Sequence, residues 1–468
     1  MLRQPFHFLL LVVLALLTAC TRLEPPGPEQ PLVVGLPADP VFQQLAPPTE
    51  GLQGFSRDLV GLFAESLGVQ VRFVTAPDQP TLQEMLQSGR VHMVAAMPER
   101  LGDRSLLYSS TLKSTRQLIA QHVDSLPIDT PEKLAGREIM VRPGAPQMKT
   151  LLDLKLTPPP IINENRAVDE LELLDGLARR RFDLVATDEL HFAVAANANP
   201  DLNIAYELPG MLGYAWAFDP DNTKLHAMAQ GFIDGVTADG TLRRLDEMYF
   251  GHIRRLGARD IQAFLDHMRT RLPEFRHAFH DAQEITGIDW RLIAALAYQE
   301  SKWDPLATSF TNVRGMMMLT EDTADRLGVS NRLDARQSIL AGAKYMVILM
   351  DELPPEIKHP DRLWFALAAY NLGMGHLRGA RSFAPGLKLD PNVWMDMKQV
   401  LPLMSRPEYY QRLKSGRARG GEAVILVDNI RNYYDVLSRL EPIWTPPSMA
   451  WEKPAAKKPP KKKSAQRR

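Results

Sequence analysis

The chain has 468 residues, more than one ordinary hydrophobic core can use, so two or more domains are expected. With 45% hydrophobic and 24% charged residues it has the composition of a globular protein, and its single cysteine, Cys20, excludes an intramolecular disulfide. Formal net charge is zero, but eight Lys and Arg and no acid fall between Lys453 and Arg468, leaving 47 basic against 55 acidic residues elsewhere, about −8.

The first twenty residues, MLRQPFHFLLLVVLALLTAC, carry one arginine and then an apolar run, Leu9 to Leu17, that is short for a bilayer span. Residues 1–19 are expected to be a signal peptide. The ending Leu-Thr-Ala-Cys resembles a bacterial lipobox, in which Cys20 is lipidated and becomes the first residue. Threonine rather than aspartate follows, which by the same resemblance implies the outer membrane. Without that resemblance, Cys20 is an incidental residue after a plain secretory peptide. Residues 20–30 are Pro-rich and read as an extended tether. No later segment is long and apolar enough to span a membrane, so the expected topology is a periplasmic body on a lipid anchor.

From Leu32 short apolar strands alternate with helical segments. LVVGL (32–36) reads as a strand, and SRDLVGLFAESLG (56–68) as a helix with Ser56 as N-cap and Gly68 as its stop. VQVRFV (69–74), the helix TLQEMLQSGR and the buried strand VHMVAAM (91–97) follow. The order recurs in EIMVR, QMKTLLDLK, ELELLDGLARRR and FDLVATDE. Such alternation predicts parallel α/β layers in two lobes with a cleft between them, over residues 31–251.

Four segments of this half resemble the extracellular solute-binding proteins of the amino-acid type: GFSRDL (54–59, containing Asp58), MPER (97–100), RPGAP (142–146) and FDLVATDEL (182–190). The resemblance implies a ligand held between Arg100, on its carboxylate, and Asp188, on its ammonium, chemistry that a guanidinium and a carboxylate can provide. Read locally, Arg100 pairs with Glu99 or Asp103 in a loop, and Asp188 caps the following helix.

Beyond a joint at residues 252–267, helical periodicity takes over. An all-α domain is expected over 268–445, from a helix broken at Pro273, through IDWRLIAALAYQES, TEDTADRLGV and ARQSILAGAKYMVILMDEL, to DRLWFALAAYNLGMGHL ending in glycines, PEYYQRLK and VDNIRNYYDVLSRL. In the second of these, Ile293, Leu296 and Ala297 lie seven, four and three positions before Glu300 and so on its face. Glu300 therefore continues an apolar stripe at a helix C-terminus, where desolvation and the helix dipole both raise a carboxyl pKa. A purely structural glutamate at that place would need a partner, with Lys302 and Arg314 as candidates.

Glu300-Ser301, then RGMMMLT (314–320), AAYNLGMG (368–375) and NIRNYYDVL (429–437) resemble, in order and over about 140 residues, the lytic murein transglycosylases of goose-type lysozyme fold. Where most of those relatives have Gly-Leu-Met-Gln, this chain has Gly315-Met316-Met317-Met318, so Met318 stands where a polar sugar contact is usual; read locally, the Met run is helix core. The resemblance implies that Glu300 is acid and then base, with no cofactor and no metal. It implies that Ser301, Met317 and Tyr370 support the site, that Asn371 orients substrate and that Tyr433 lines the cleft near Glu300. Its substrate would be peptidoglycan glycan strands. The rivals are a hydrolytic lysozyme, which needs a second carboxylate, and a periplasmic binding protein with an inactive wall-binding module. An amino acid or wall-derived muropeptide is the ligand expected for the front domain. The tail 446–468 reads as disordered and basic, suited to anionic wall or lipid surfaces or to solubility, and not to nucleic acid.

Overall fold

The computed structural model describes residues 22–43, 53–99, 105–253, 256–309 and 312–445. The expectations at Cys20, at Arg100 and for the tail lie outside these residues.

Among its described residues the first half contains nine strands, β1 (Leu32–Pro37), β2 (Val71–Ala76), β3 (Met93–Pro98), β4 (Leu107–Tyr108), β5 (Lys113–His122), β6 (Glu138–Val141), β7 (Ile161–Glu164), β8 (Leu184–Asp188) and β9 (Leu202–Phe218). Their order is β2-β1-β3-β9-β5-β8-β6-β7, with β4 on β9. The predicted parallel layers are there. β1 lies parallel to β2 and β3, and β6 parallel to β7 and β8. Two antiparallel strands, β5 and β9, join the lobes. Neither was foreseen, because β9 carries Asn203, Glu207, Pro209 and Gly210 through its middle and so breaks the apolar run that marks a buried strand. β1 and β3 are apolar throughout and shielded on both faces, as central parallel strands must be.

Two local expectations change. The Phe55–Leu67 helix is entered at Gly54, while Ser56 is inside the first turn and buried; Gly68 does end it, at φ 66°. Residues 22–30 are not a free leash. Leu23 N–H donates to Gly89 O (3.1 Å), and His92, whose Nδ1 accepts from Val33 N–H (2.9 Å), donates from Nε2 to Glu24 O (2.8 Å). A buried imidazole with both nitrogens used in this way stays neutral, and burial lowers its pKa.

The second half is helical, around one core that runs from Phe264 and Met268 through Leu292–Tyr298 to Tyr434 and Leu437. Its helices include Ala258–Thr270, Leu272–Thr286, Trp290–Ser301, Ala335–Asp351, Asp361–Leu372 and Gly420–Leu440. The first begins within the expected joint, and Phe264 already belongs to the core. Pro273 falls in the first turn of the second, where its missing N–H costs nothing. The glycines after Leu372 end one helix and open another, Met374–Phe383. No helix among the described residues is long and apolar enough to cross a membrane.

The two halves meet along the closing helix, Gly420–Leu440. Asn432, wholly buried, donates to His252 O (2.6 Å) and accepts from Asn197 Nδ2 (2.8 Å). Arg431 donates to the Glu247 and Met248 carbonyls, and His252 Nε2 meets Asp435 (2.6 Å). Lys398 sits between Glu247 (2.6 Å) and Asp428 (3.0 Å), and Arg439 pairs with Asp175 (2.7 Å). Most of these polar groups are paired across the contact, as burial away from water demands, while His252 Nδ1, Arg431 Nη1 and Arg439 Nη1 have no hydrogen-bond partner.

Candidate active site around Glu300

The helix that carries Glu300 begins at Asp289, whose carboxylate accepts from Arg291 N–H, and every residue from Trp290 to Tyr298 is buried. It stops at Ser301 because Lys302 (φ 56°) and Trp303 (φ 58°) both take the left-handed conformation. For a residue with a Cβ this costs about 1–2 kcal/mol each. Two anchors offset the strain. Trp303 Nε1 donates to Ala294 O (2.8 Å). The Lys302 ammonium lies over Tyr298 (4.5 Å) and Tyr433 (5.2 Å) and donates to Tyr433 Oη (3.3 Å).

Lys302 is thus bound elsewhere and does not pair with Glu300. Arg314 does not either, since its Nε donates to Asn312 Oδ1 (2.8 Å). The Glu300 residue is partly exposed, but its Oε1 is shut off from solvent and has no hydrogen-bond partner. Burial alone pushes the carboxyl up to about 7. A carboxyl on an apolar wall with no cation beside it can keep its proton near neutral pH and still lose it when a base appears, as general acid–base work requires.

Around it, three side chains tie the Met316–Met317 turn into place. Ser301 Oγ donates to Met316 O (2.8 Å), Tyr370 Oη donates to Met317 O (2.7 Å), and Met317 N–H donates to Ser338 Oγ (3.1 Å). Burial, and after it the charge on Glu300, raises the Tyr370 phenol pKa well above its ordinary value. The Met317 side chain is fully buried against Gly342, where an added Cβ would come within 2.6 Å of it. Met316 and Met317 are core residues as the apolar reading has it, but in a tight turn and not in a helix. Met318 is partly exposed with φ 47°.

Of the other expected residues, Asn371 is exposed in the last turn before Gly373. Tyr433 is only 2% exposed and packs on Tyr298 (4.8 Å) and Phe264 (4.6 Å), so it backs the Glu300 helix from the core instead of forming open cleft wall. Ser338, Gly342 and the left-handed pair at 302–303 were not anticipated; an alternation of Lys and Trp after a helix is no signal for positive φ. Among the described residues no group of three or more His, Cys, Asp or Glu side chains is placed to hold a metal ion.

In the front half a cleft of about 940 Å³ separates the lobes, with Glu99, Gln117, Lys149, Glu164 and Arg166 on its walls. Asp188 is not among them. It caps the Glu189–Ala196 helix, and its oxygens accept from Leu190 N–H (2.8 Å), His191 Nδ1 (2.6 Å) and Tyr214 Oη (2.7 Å). His191 also reaches Asp39 (2.9 Å), and these two carboxylates raise its pKa well above the usual value despite burial. Asp188 is therefore framework, with its hydrogen-bonding capacity taken up inside the lobe. Asp58, half-buried, is also absent from the cleft walls and accepts from Gln53 N–H and the Tyr249 hydroxyl.

The chain is thus a two-lobed α/β domain followed by a helical domain that carries a glutamate carboxyl without a charged partner. Residues 32–252 match the bacterial extracellular solute-binding proteins, family 3, and residues 277–388 match the transglycosylase SLT domain. The chain is 43% identical over 392 residues to a membrane-bound lytic murein transglycosylase F of Nitrosospira multiformis, covering 83% of this chain and 82% of that protein. It is 41% identical over 447 residues to the protein of the same name from Thiobacillus denitrificans, covering 93% and 94%. Among solved structures, a mutant ArgBP from T. maritima aligns with 47% of this chain and 95% of its own at 23% identity and a TM-score of 0.42. The chain belongs to the membrane-bound lytic murein transglycosylase F family.

Proposed function

We propose that this protein is a peptidoglycan lytic transglycosylase in which Glu300 acts alone as acid and then as base. The observation that carries the reading is a carboxyl pushed up to about 7 by burial, without a charged partner. Glu300 gives its proton to the oxygen between MurNAc and GlcNAc, and the bond from C1 to that oxygen breaks with oxocarbenium character. The carboxylate so formed takes the proton of the muramyl C6 hydroxyl, whose oxygen closes on C1 as a 1,6-anhydro ring. No water enters and Glu300 ends as it began. Ser301, Tyr370 and the buried Met317 support the turn beside the reacting ring, Asn371 orients substrate, and Tyr433 holds the helix from behind.

Digestion of sacculi is expected to release muropeptides one water lighter than reducing-end products; reducing ends only would make the enzyme a hydrolase. Because the resting acid must be protonated, kcat/KM is expected to fall about tenfold per pH unit above about 7. A rate that instead rises through that pH contradicts the assignment.

The front domain is proposed to bind an amino acid or wall-derived peptide in its lobe cleft and to bias the catalytic half. Support comes from the closing helix, whose one face carries Arg431, Asn432 and Asp435 on the front domain. Another face sets Tyr433 on Tyr298 and Asn429 on Gln299 (3.3 Å), next to Glu300. Coupling requires a ligand to bind the two states differently. Ligands that bind the cleft should change turnover on sacculi, and a set that binds with no change in rate rejects the coupling. Attachment is proposed through lipid on Cys20, at the periplasmic face of the outer membrane. The Cys20→Ala protein should move from the membrane to the soluble fraction, and retention in the membrane would rule the anchor out.

A further inference from the structure

Beside the docked residues 22–30 lies a cavity of about 490 Å³, lined neither by Glu300 nor by residues of the lobe cleft. That is a size that holds small ligands. Leu23 and Pro25 of the docked segment form one wall. Leu67 and Val69, at and just after the end of the Phe55–Leu67 helix, and Leu225 and Met228 of the Thr223–Ala238 helix form the others.

Apolar surface stays open along this lining. Leu23, Leu67 and Val69 are only half-buried, and Met228 is 44% exposed. Of the charged residues in the lining, Arg22, Asp221 and Lys224 are exposed and Asp219 is partly so. Arg22 pairs with Asp221 (3.7 Å), and Asp219 accepts from Asp221 N–H (3.0 Å). His92 is the buried titratable group of the lining, and both its nitrogens are used, by Val33 N–H and by Glu24 O. A charged ligand would give up water here for no buried partner, whereas an apolar chain gains by covering the open surface.

The occupant follows from where the chain leads. Arg22 is the first described residue and lines the cavity, and Cys20 stands two residues before it, at most about 7 Å of chain away. The segment is pinned at that place. Leu23 N–H donates to Gly89 O (3.1 Å), Glu24 O accepts from His92 Nε2 (2.8 Å), and Gly27 and Gln30 exchange backbone hydrogen bonds (2.9 and 3.0 Å). We propose that this cavity seats one acyl chain of the lipid carried on Cys20. The inference rests on the lipid reading of Cys20 and is independent of the role of Glu300. A chain seated there is withdrawn from the bilayer, and the lobe that carries β1, β2 and β3 is held against the surface in which the remaining chains insert.

The test is photo-cross-linking of the full-length protein, made in bacteria fed a diazirine-bearing palmitic acid and reconstituted in vesicles of phosphatidylethanolamine and phosphatidylglycerol. After irradiation and digestion, mass spectrometry reads which peptides the acyl chain has joined, with the C20A protein as the reference without lipid. The acyl chain should join the Cys20 peptide to peptides containing Leu67, Val69 or Met228. In M228E, which sets a carboxylate on the apolar wall at an exposed position, those cross-links should fall about tenfold, with the label on Cys20 and the melting midpoint unchanged. Cross-links from Cys20 to lipid alone, cavity peptides joined to phospholipid and not to Cys20, or undiminished cross-links in M228E would each overturn the proposal. An N-terminal peptide without acyl mass would instead reject the lipid reading of Cys20, and the proposal with it.

Discussion

The Glu300→Gln protein is expected to lose about a thousandfold or more of its activity on purified sacculi while gaining stability at alkaline pH. The loss follows from removing the one group proposed to carry the proton both ways, since positioned acid–base groups typically contribute about 10²- to 10⁴-fold. The gain has the opposite sign from that of a salt-bridged acid. The folded-state pKa of about 7 stands above the ordinary value of 4.5, with burial as cause. Between those two values the folded protein holds a proton that the unfolded chain has released, so stability declines as pH rises through the window. Below it nothing is lost; above it the cost is fully present, up to about 3 kcal/mol for a shift of this size. Glutamine has the same shape and no charge to desolvate, and no ion pair is broken by the change. Melting curves at pH 4 and pH 8 with turnover on the same samples test both halves. A Glu300→Gln enzyme that still cuts, or one that is unfolded at pH 8, sinks the reading of an unpaired catalytic carboxyl.

Gly315→Ala is expected to destabilise the catalytic half by about 3 kcal/mol or more, a fall in Tm of about 10 °C, and to remove activity with it. Gly315 has φ 82°, and a Cβ there would stand 1.8 Å from Arg332 O, a backbone atom that cannot swing aside. The turn is closed on both sides, by Arg314 N–H to Leu319 O (3.1 Å) and Leu319 N–H to Arg314 O (3.0 Å). Relief must therefore come by moving the Met316–Met317 turn, and with it the carbonyls that hold Ser301 and Tyr370. Gly375→Ala is the control. Its Cβ would meet nothing within 4 Å, it lies inside the Met374–Phe383 helix, and alanine there should be neutral or stabilising by about 0.5–1 kcal/mol. Equal melting midpoints for Gly315→Ala and the unchanged protein would show that the turn yields easily and is not the support described.

The apolar spacing that ends in Glu300 and the strand–helix alternation of the first half were legible because both depend on neighbours a few residues apart. Helix face is settled by positions three, four and seven back, and a parallel strand shielded on both faces shows itself as an apolar run. The long strand β9 was not legible. Its pairing partners lie about a hundred residues away, and its polar middle is tolerated because β5 satisfies the backbone there. Asp188 and Tyr433 show the same limit. Each was placed at a site wall by its motif, and each is drawn into the framework by partners distant in sequence, Asp188 by Tyr214 and Tyr433 by Lys302, Tyr298 and Phe264.

By itself the sequence determined that a glutamate would end an apolar helix inside a helical domain, behind a two-lobed α/β domain, and that its motifs are those of a transglycosylase. Only the tertiary structure decided that this glutamate would be left without a partner. Lys302 and Arg314 were both near enough along the chain to neutralise it. A left-handed turn at Lys302 and Trp303 carries the ammonium onto two tyrosines, one of them supplied 131 residues later, and Asn312 takes Arg314. Local spacing fixes which face a side chain leaves from; which charge it finds there depends on where the rest of the chain has gone.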